Sequence, residues 1–337
     1  MTAARLSRRD LLAGVGASLL LSACRGAAGD RDVLRIGLLP SLTHSPMLAA
    51  LGSGRLARAL APIRIETRVF RAGPRVVEAL MGGAIDVGVS GPAPVVIAQA
   101  RHGDGTLRAL SGVASGGASL VVAKDARVTT AADLHGRSVA VTQLGSTQDV
   151  SLRKYLARNG LQRTTQGGDV TVHVLSGADI RTQMMRGELA AAWVPEPWPT
   201  RLVRELGAVR LVDERDLWDG GRFSSAMMVA RSTFADARAT DVSRVVEVIA
   251  DEVLRASRPD SESRGEAHAE IKRLTTNAGP RPLFDEAWTR VDFTTDPLER
   301  AVEIFAEDAI AMGIVPRMAC RSLFTHGAVK TADVRPL

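Results

Sequence analysis

Between Val33 and Val212 the chain passes twice through the same alternation of short β-branched runs and helix-period segments, and that repeated rhythm leaves few folds open. In the first round, Val33 to Leu39 reads as a strand, Pro46 to Leu60 as a helix, Ile63 to Phe70 as a strand, Val76 to Met81 as a helix and Ile85 to Val89 as a buried strand. Pro92 suits the first turn of the next helix because its φ is already helical. Strands at Leu107 to Val113 and Ser119 to Ala123 close the round. The second round reads strand Ser138 to Thr142, helix Thr147 to Asn159, strand Val170 to Leu175, helix Ala178 to Arg186, strand Ala190 to Val194, a helix from Pro197, and strand Val209 to Val212. Strands alternating with helices predict an α/β fold with largely parallel sheets. Two such rounds joined by short connections predict two α/β lobes with a cleft between them. The last third is mainly helical: Val242, Val245, Val246, Ile249 and Val253 share one helix face, as do Leu298, Val302, Phe305, Ala309 and Met312.

Residues 1–23 stand apart from this pattern. Arg8 and Arg9 form a positive segment, Leu11 to Leu21 a short apolar run, and small residues lead to Cys24, the order expected of an export signal. The run is too short for a bilayer span, which takes about 20 apolar residues. Ser7-Arg8-Arg9-Asp10-Leu11-Leu12 resembles a twin-arginine export signal, and Leu21-Ser22-Ala23-Cys24 is similar to a bacterial lipobox. The resemblance implies that Cys24 becomes the lipidated first residue, that residues 24–32 form a tether, and that the protein is held outside the cytoplasm at a membrane surface. The plainer alternative is an ordinary secretory signal in which Cys24 is incidental.

What remains after the signal is longer than one core usually serves, since cores stop growing at roughly 250 to 300 residues. The high isoelectric point does not mark a nucleic-acid binder. Arg5, Arg8, Arg9 and Asp10 leave with the signal, so the formal charge of +6 falls to about +4, and the other arginines are scattered among acids without stacking aromatics. If Cys24 carries lipid, Cys320 has no partner in the chain and reads as a small buried apolar residue. No paired His or Cys spacing supports a metal site, and no cofactor is expected.

Seven segments carry a family resemblance, in order. They are Leu42-Thr43-His44-Ser45-Pro46; Phe70-Arg71-Ala72-Gly73-Pro74; Ala79 to Gly88 running on to Ser90-Gly91-Pro92-Ala93-Pro94; Ser115-Gly116-Gly117-Ala118; Ala131 to Val141; Gln143 to Asp149; and Trp193-Val194-Pro195-Glu196-Pro197-Trp198. Each is weak alone. Together they resemble the two-lobed substrate-binding proteins of ABC importers, in the nitrate, sulfonate and taurine group. The resemblance implies a periplasmic-binding-protein type II fold with a central cleft and hinge. Lobe 1 would comprise 33–124 and 224–337, and lobe 2 would comprise 125–223, with crossings near Ala123 to Asp125 and Phe223 to Met228. It further implies a monomeric receptor, not an enzyme, that binds a small organic anion and delivers it to a permease driven by an ATPase. An aliphatic sulfonate or taurine-like compound is the favoured ligand. Nitrate, a thiamine precursor, an enzyme on the same scaffold and a ligand sensor are the alternatives.

An anion receptor needs donors aimed into the cleft. Ser90-Gly91-Pro92 and Gly145-Ser146-Thr147 each follow a predicted strand and open a helix, so free N–H groups would face the cleft; Thr43 and His44 sit at a third such turn. The structural alternative is that Ser90, Ser146 and Thr147 only cap their own helices. A helix terminus contributes about 0.3 to 1 kcal/mol, up to about 2 when partly buried. Micromolar binding needs roughly 8 kcal/mol. Side-chain donors are therefore expected, and Gln143, Gln148 and His44 are the candidates, against the bland readings of solvated glutamines and a polar first-turn histidine. Glu196 could meet a ligand ammonium, with Trp193 or Trp198 as an apolar wall. Otherwise Glu196 caps a helix and the indoles are packing. Asp86 and Asp149 read as structural carboxylates. No nucleophile shares a motif with a base, which argues against catalysis.

Overall fold

The computed structural model describes residues 32–275, 278–316 and 321–324. The signal, Cys24, most of the tether and Cys320 lie outside the described residues. The strands are β1 (Val33–Leu38), β2 (Arg64–Val69), β3 (Val87–Ser90), β4 (Leu107–Gly116), β5 (Ala118–Val122), β6 (Ser138–Val141), β7 (Thr171–Val174), β8 (Ala191–Pro195), β9 (Val209–Asp213), β10 (Ser224–Arg231) and β11 (Val291–Phe293). The helices are α1 (Ser45–Gly52), α2 (Arg55–Leu60), α3 (Gly73–Met81), α4 (Pro92–His102), α5 (Thr147–Arg158), α6 (Gly177–Met185), α7 (Trp198–Leu206), α8 (Ser232–Ala237), α9 (Ala239–Ala256), α10 (Ser263–Thr275), α11 (Arg281–Trp288) and α12 (Glu299–Ala311).

Two sheets carry these elements, one per lobe. The first has the order β11-β4-β10-β3-β1-β2 and the second β7-β6-β8-β5-β9. Helices cover both faces of each, which is why β1 is buried along nearly its whole length. Leu34, Ile36 and Leu38 pack with Leu48, Val246 and Ile249 on one face of the first sheet. Val76, Leu80, Val95 and Val302 fill the other. Each such side chain contributes roughly 1.5–3 kcal/mol when fully buried. The second sheet repeats the plan, with Val139, Leu152, Leu156 and Trp193 on one face and Ala140, Ile180, Val194 and Leu202 on the other.

The expected helix from Pro46 to Leu60 is two helices. Gly54 lies between them at φ +71°, a left-handed turn that breaks the helix at little steric cost. The sheets are also less parallel than expected. β2, β1 and β3 run parallel, as do β7, β6 and β8, but β10 is antiparallel to β3 and β4, and β5 is antiparallel to β8 and β9. The reason lies in the crossing between lobes. Parallel strands end at the cleft, whereas β5 and β10 arrive from the other lobe and begin there, so each runs the opposite way.

The first crossing falls at Gly116 and Gly117, not at Ala123 to Asp125. β4 closes its run in the first sheet at Gly116 and β5 enters the second at Ala118, so the strand expected to end lobe 1 opens lobe 2. Both glycines hold positive φ, +76° and +71°, which lets the chain change sheets within a single residue. The chain returns between β9 and β10. Among the described residues no helix is long and apolar enough to cross a membrane.

Candidate functional site

The parallel strands of both sheets point their C-terminal ends at one interlobe cavity of ≈ 40 Å³. From lobe 1 it is lined by Leu39, Ser41, Thr43 and His44 after β1, by Gly73 at the start of α3, and by Gly91 and Pro94 at the start of α4. Ser225 of β10 completes that side. Lobe 2 contributes Ser146, Thr147 and Gln148 at the start of α5 and Pro195 at the end of β8, with Gly117 and Ala118 at the crossing. The lobes touch here: a Cβ added to Gly91 would stand 2.3 Å from Thr147 Oγ1. Ser41 Oγ also reaches across to donate to the Glu196 carbonyl at 3.4 Å.

No lining residue carries a formal charge. His44 is buried, its Nδ1 accepts the Leu39 N–H at 3.2 Å, and burial pulls its pKa down to about 3. The ring is therefore neutral with its proton on Nε2, which makes it a donor without a charge. Thr147 Oγ1 and Ser225 Oγ are buried and have no hydrogen-bond partner among the described residues, and the same holds for Ser45 Oγ and Ser224 Oγ beside them. Buried hydroxyls left unpaired are costly, at about 1–3 kcal/mol each. Two of them, Thr147 and Ser225, stand on the cavity wall from opposite lobes, which leaves that wall with donors free for acceptor atoms.

The helix termini differ in what they offer. At α5, Ser146 is the N-cap and accepts the Asp149 N–H, leaving the N–H groups of Thr147 and Gln148 without intrahelical acceptors. Asp149 accepts Gly145 N–H at 2.8 Å and is gripped by Arg153, so the acid in this first turn is turned back into the lobe. At α4, Pro92 and Pro94 have no N–H, so the first turn presents only the amides of Gly91 and Ala93. Lobe 2 is the richer side in donors.

Of the residues singled out in the sequence, Thr43, His44, Gly91, Ser146, Thr147 and Gln148 line the cavity. Ser90 lies just behind it, its hydroxyl donating to the Gly73 carbonyl at 3.4 Å, and Pro92, Gln143 and Gly145 are not part of the wall. Three expectations are corrected. Trp193 is in the lobe-2 core, fully buried, with its indole N–H donating to Glu214 at 2.7 Å. Trp198 packs flat over Gly177, where an added Cβ would clash with the indole at 2.0 Å. Glu196 is 1 % exposed and already paired: it accepts from Arg210 at 2.7 Å and from the N–H and hydroxyl of Thr200. Burial raises its pKa, with Arg210 and Thr200 opposing that shift. It has no free oxygen to offer an ammonium in the cavity.

Ser225 was not among the sequence candidates. Its one signal is the pair Ser224-Ser225 heading an otherwise apolar buried strand. Asp86, read as structural, accepts the Arg35 N–H at 2.8 Å and its Nε at 3.1 Å. Among the described residues no group of three or more His, Cys, Asp or Glu side chains is placed to hold a metal ion.

The model of the NMT1-like family matches residues 27–271. Over 197 residues the chain is 29% identical to a protein of Escherichia coli (strain K12) named for binding aliphatic sulfonates; the match covers 58% of this chain and only 60% of that relative's length. Among solved structures, the periplasmic aliphatic sulphonate binding protein of Escherichia coli superimposes with a TM-score of 0.71 at 24% identity, over 88% of this chain and 92% of that one. The periplasmic nitrate-binding protein of Synechocystis PCC 6803 gives the same TM-score, 0.71, at 15% identity over 86% and 84%. These likenesses show a shared fold, and the fold is the same beside either relative.

Proposed function

The chain belongs to the NMT1-like family, and from that premise we propose that it is the extracytoplasmic solute-binding component of an ABC importer, closing two lobes around a short aliphatic sulfonate. The observation that carries this reading is the uncharged interlobe cavity with unpaired buried hydroxyls from both lobes. A sulfonate spreads one negative charge over three oxygens, and Thr147, Ser225, neutral His44 and the first amides of α5 are donors suited to accept them in place of water. Its volume corresponds to on the order of three water-sized groups, which matches a sulfonate head with little beyond it. The apolar contacts of Leu39, Pro94 and Pro195 suit one or two methylenes. With Glu196 held by Arg210, an aminosulfonate finds no partner for its ammonium, so an alkanesulfonate is preferred to taurine.

In this reading the receptor performs no chemistry. It hands the anion to a permease and its ATPase, acts as a monomer, and is tethered through Cys24 after export, as the motif at residues 7–24 supports. Thermal melting of the purified protein with ethanesulfonate, taurine, nitrate and sulfate tests the ligand. A ligand at a hundredfold excess over Kd stabilises by about 2.7 kcal/mol. Ethanesulfonate is expected to raise Tm more than taurine or nitrate; no response to any sulfonate discards the substrate class.

A further inference from the structure

A second cavity, of ≈ 260 Å³, lies on the seam between the lobes and shares no wall residue with the cleft. Arg153, Leu156 and Ala157 of α5 line it together with Arg163 and Gln166 from the segment that follows, and Met312 at the end of α12 closes it from lobe 1. Both guanidinium side chains are largely buried, at 15% and 12% exposure, and they share one carboxylate, Asp149, which is 0% exposed. Arg153 takes both Asp149 oxygens, through Nε at 3.1 Å and Nη2 at 2.7 Å, while Arg163 Nη1 stands 3.8 Å away. Arg163 Nε donates to Gln166 Oε1 at 3.3 Å. The Asp308 carboxylate adds no compensation because it is matched with Lys154 at 2.5 Å.

The pocket therefore carries two buried positive charges against one negative. Burial and the neighbouring Arg153 both pull the Arg163 pKa down, with Asp149 opposing them, so its charge sits at a cost. Arg153 Nη1 and Arg163 Nη2 have no hydrogen-bond partner among the described residues. We propose that this seam pocket is a second binding site, for a small oxyanion held by Arg153 and Arg163, and that its occupancy favours the closed arrangement of the lobes. A planar guanidinium fork matches the oxygens of a phosphate, sulfate or carboxylate, and charge-assisted bonds of this kind are about twice as strong as neutral ones. Leu156 and Met312 place apolar surface beside the guanidinium groups, which lowers the local dielectric on that side and strengthens the attraction. Because walls come from both lobes, the pocket exists only when they meet. The anion and the cleft ligand then raise each other's affinity by the same factor.

The coupling rests on the solute-receptor reading, whereas the anion site does not. The test titrates inorganic phosphate against the full chain at ionic strength held constant with chloride. Phosphate is expected to raise Tm saturably. Arg163→Gln, which leaves the Arg153–Asp149 pair in place, is expected to weaken the apparent phosphate affinity by about tenfold or more. Ala157→Glu places a carboxylate at the pocket rim, so it is expected to abolish the phosphate response while melting no lower than wild type. Thr147→Val in the cleft is expected to leave that response intact. No shift beyond chloride, a shift that survives both seam variants, or one that vanishes with Thr147→Val overturns the site. Phosphate should also lower the Kd for ethanesulfonate in the wild type but not in Arg163→Gln; an unchanged wild-type Kd overturns the link to closure. A protein that answers phosphate but no sulfonate discards the sulfonate as cleft ligand and the coupling to it, and keeps the anion site.

Discussion

Gly91 meets Thr147 across the cleft so closely that a single methyl group decides whether the lobes can close. Its φ of −72° is open to any residue, so Gly91→Ala carries no backbone penalty and its cost falls on the interlobe contact alone. Overpacking of this kind costs typically 1–3 kcal/mol. Gly91→Ala is therefore expected to weaken ethanesulfonate binding about 5- to 150-fold by calorimetry, with ligand-free melting little changed; wild-type affinity would show that the bound state lacks this contact. At this scale the sequence was legible where a residue's role follows from its place at a strand-to-helix turn, as for Thr43, Gly91, Ser146 and Thr147. It misled where a role depends on a partner. Glu196 is held by Arg210 and Trp193 by Glu214, which lie 14 and 21 residues away, and no local pattern announces either pairing. Ser225 stayed hidden because its strand comes from the far side of the hinge.

Glu214 binds three elements of lobe 2 into one unit. It follows β9, is fully buried, and accepts from Ser151 of α5 at 2.5 Å and from Trp193 of β8 at 2.7 Å. Burial dominates those two hydrogen bonds and pushes its pKa up to about 7 from 4.5. A carboxyl group that binds its proton more tightly when folded stabilises the protein fully below about pH 4.5, and that contribution is lost as pH rises through 7. The loss amounts to about 3 kcal/mol. His44, lowered to about 3, acts in the opposite sense, destabilising the fold as pH falls below 6.5. The comparison of wild type with Glu214→Gln cancels the histidine. Glu214→Gln is expected to gain stability relative to wild type between pH 5 and 8 in denaturant titrations; parallel pH profiles would mean that Glu214 stays ionised. Most elements were readable from periodicity, including the buried face of α9. The sheet assignment of β5 was not, because a strand's own sequence does not say which side of Gly116-Gly117 it pairs on.

The two lobes meet, and part of what joins them lies away from the cleft. Trp218, in the segment leading back to lobe 1, stacks on Phe223 at 5.5 Å and meets Phe305 of α12 at a 40° tilt, 4.8 Å between ring centroids. Lys154 of α5 stands 5.0 Å over the Trp218 ring and pairs with Asp308 of α12. These contacts add to closure whether or not a ligand is present, so they set how much of the protein is already competent to bind, and apparent affinity scales with that fraction. A half-buried pair of this kind contributes about 1 kcal/mol after screening by solvent, or some fivefold in Kd. Lys154→Met and Asp308→Asn are each expected to weaken ethanesulfonate binding by that factor without touching a cleft residue. Because both remove the same interaction, the double variant should be little weaker than either single one. Small-angle scattering of the ligand-free variants should show a larger radius of gyration that returns to the wild-type value with saturating ligand. Unchanged Kd values in all three variants would assign closure to the cleft contacts and the aromatic stack alone, leaving the ion pair a surface feature of lobes already shut.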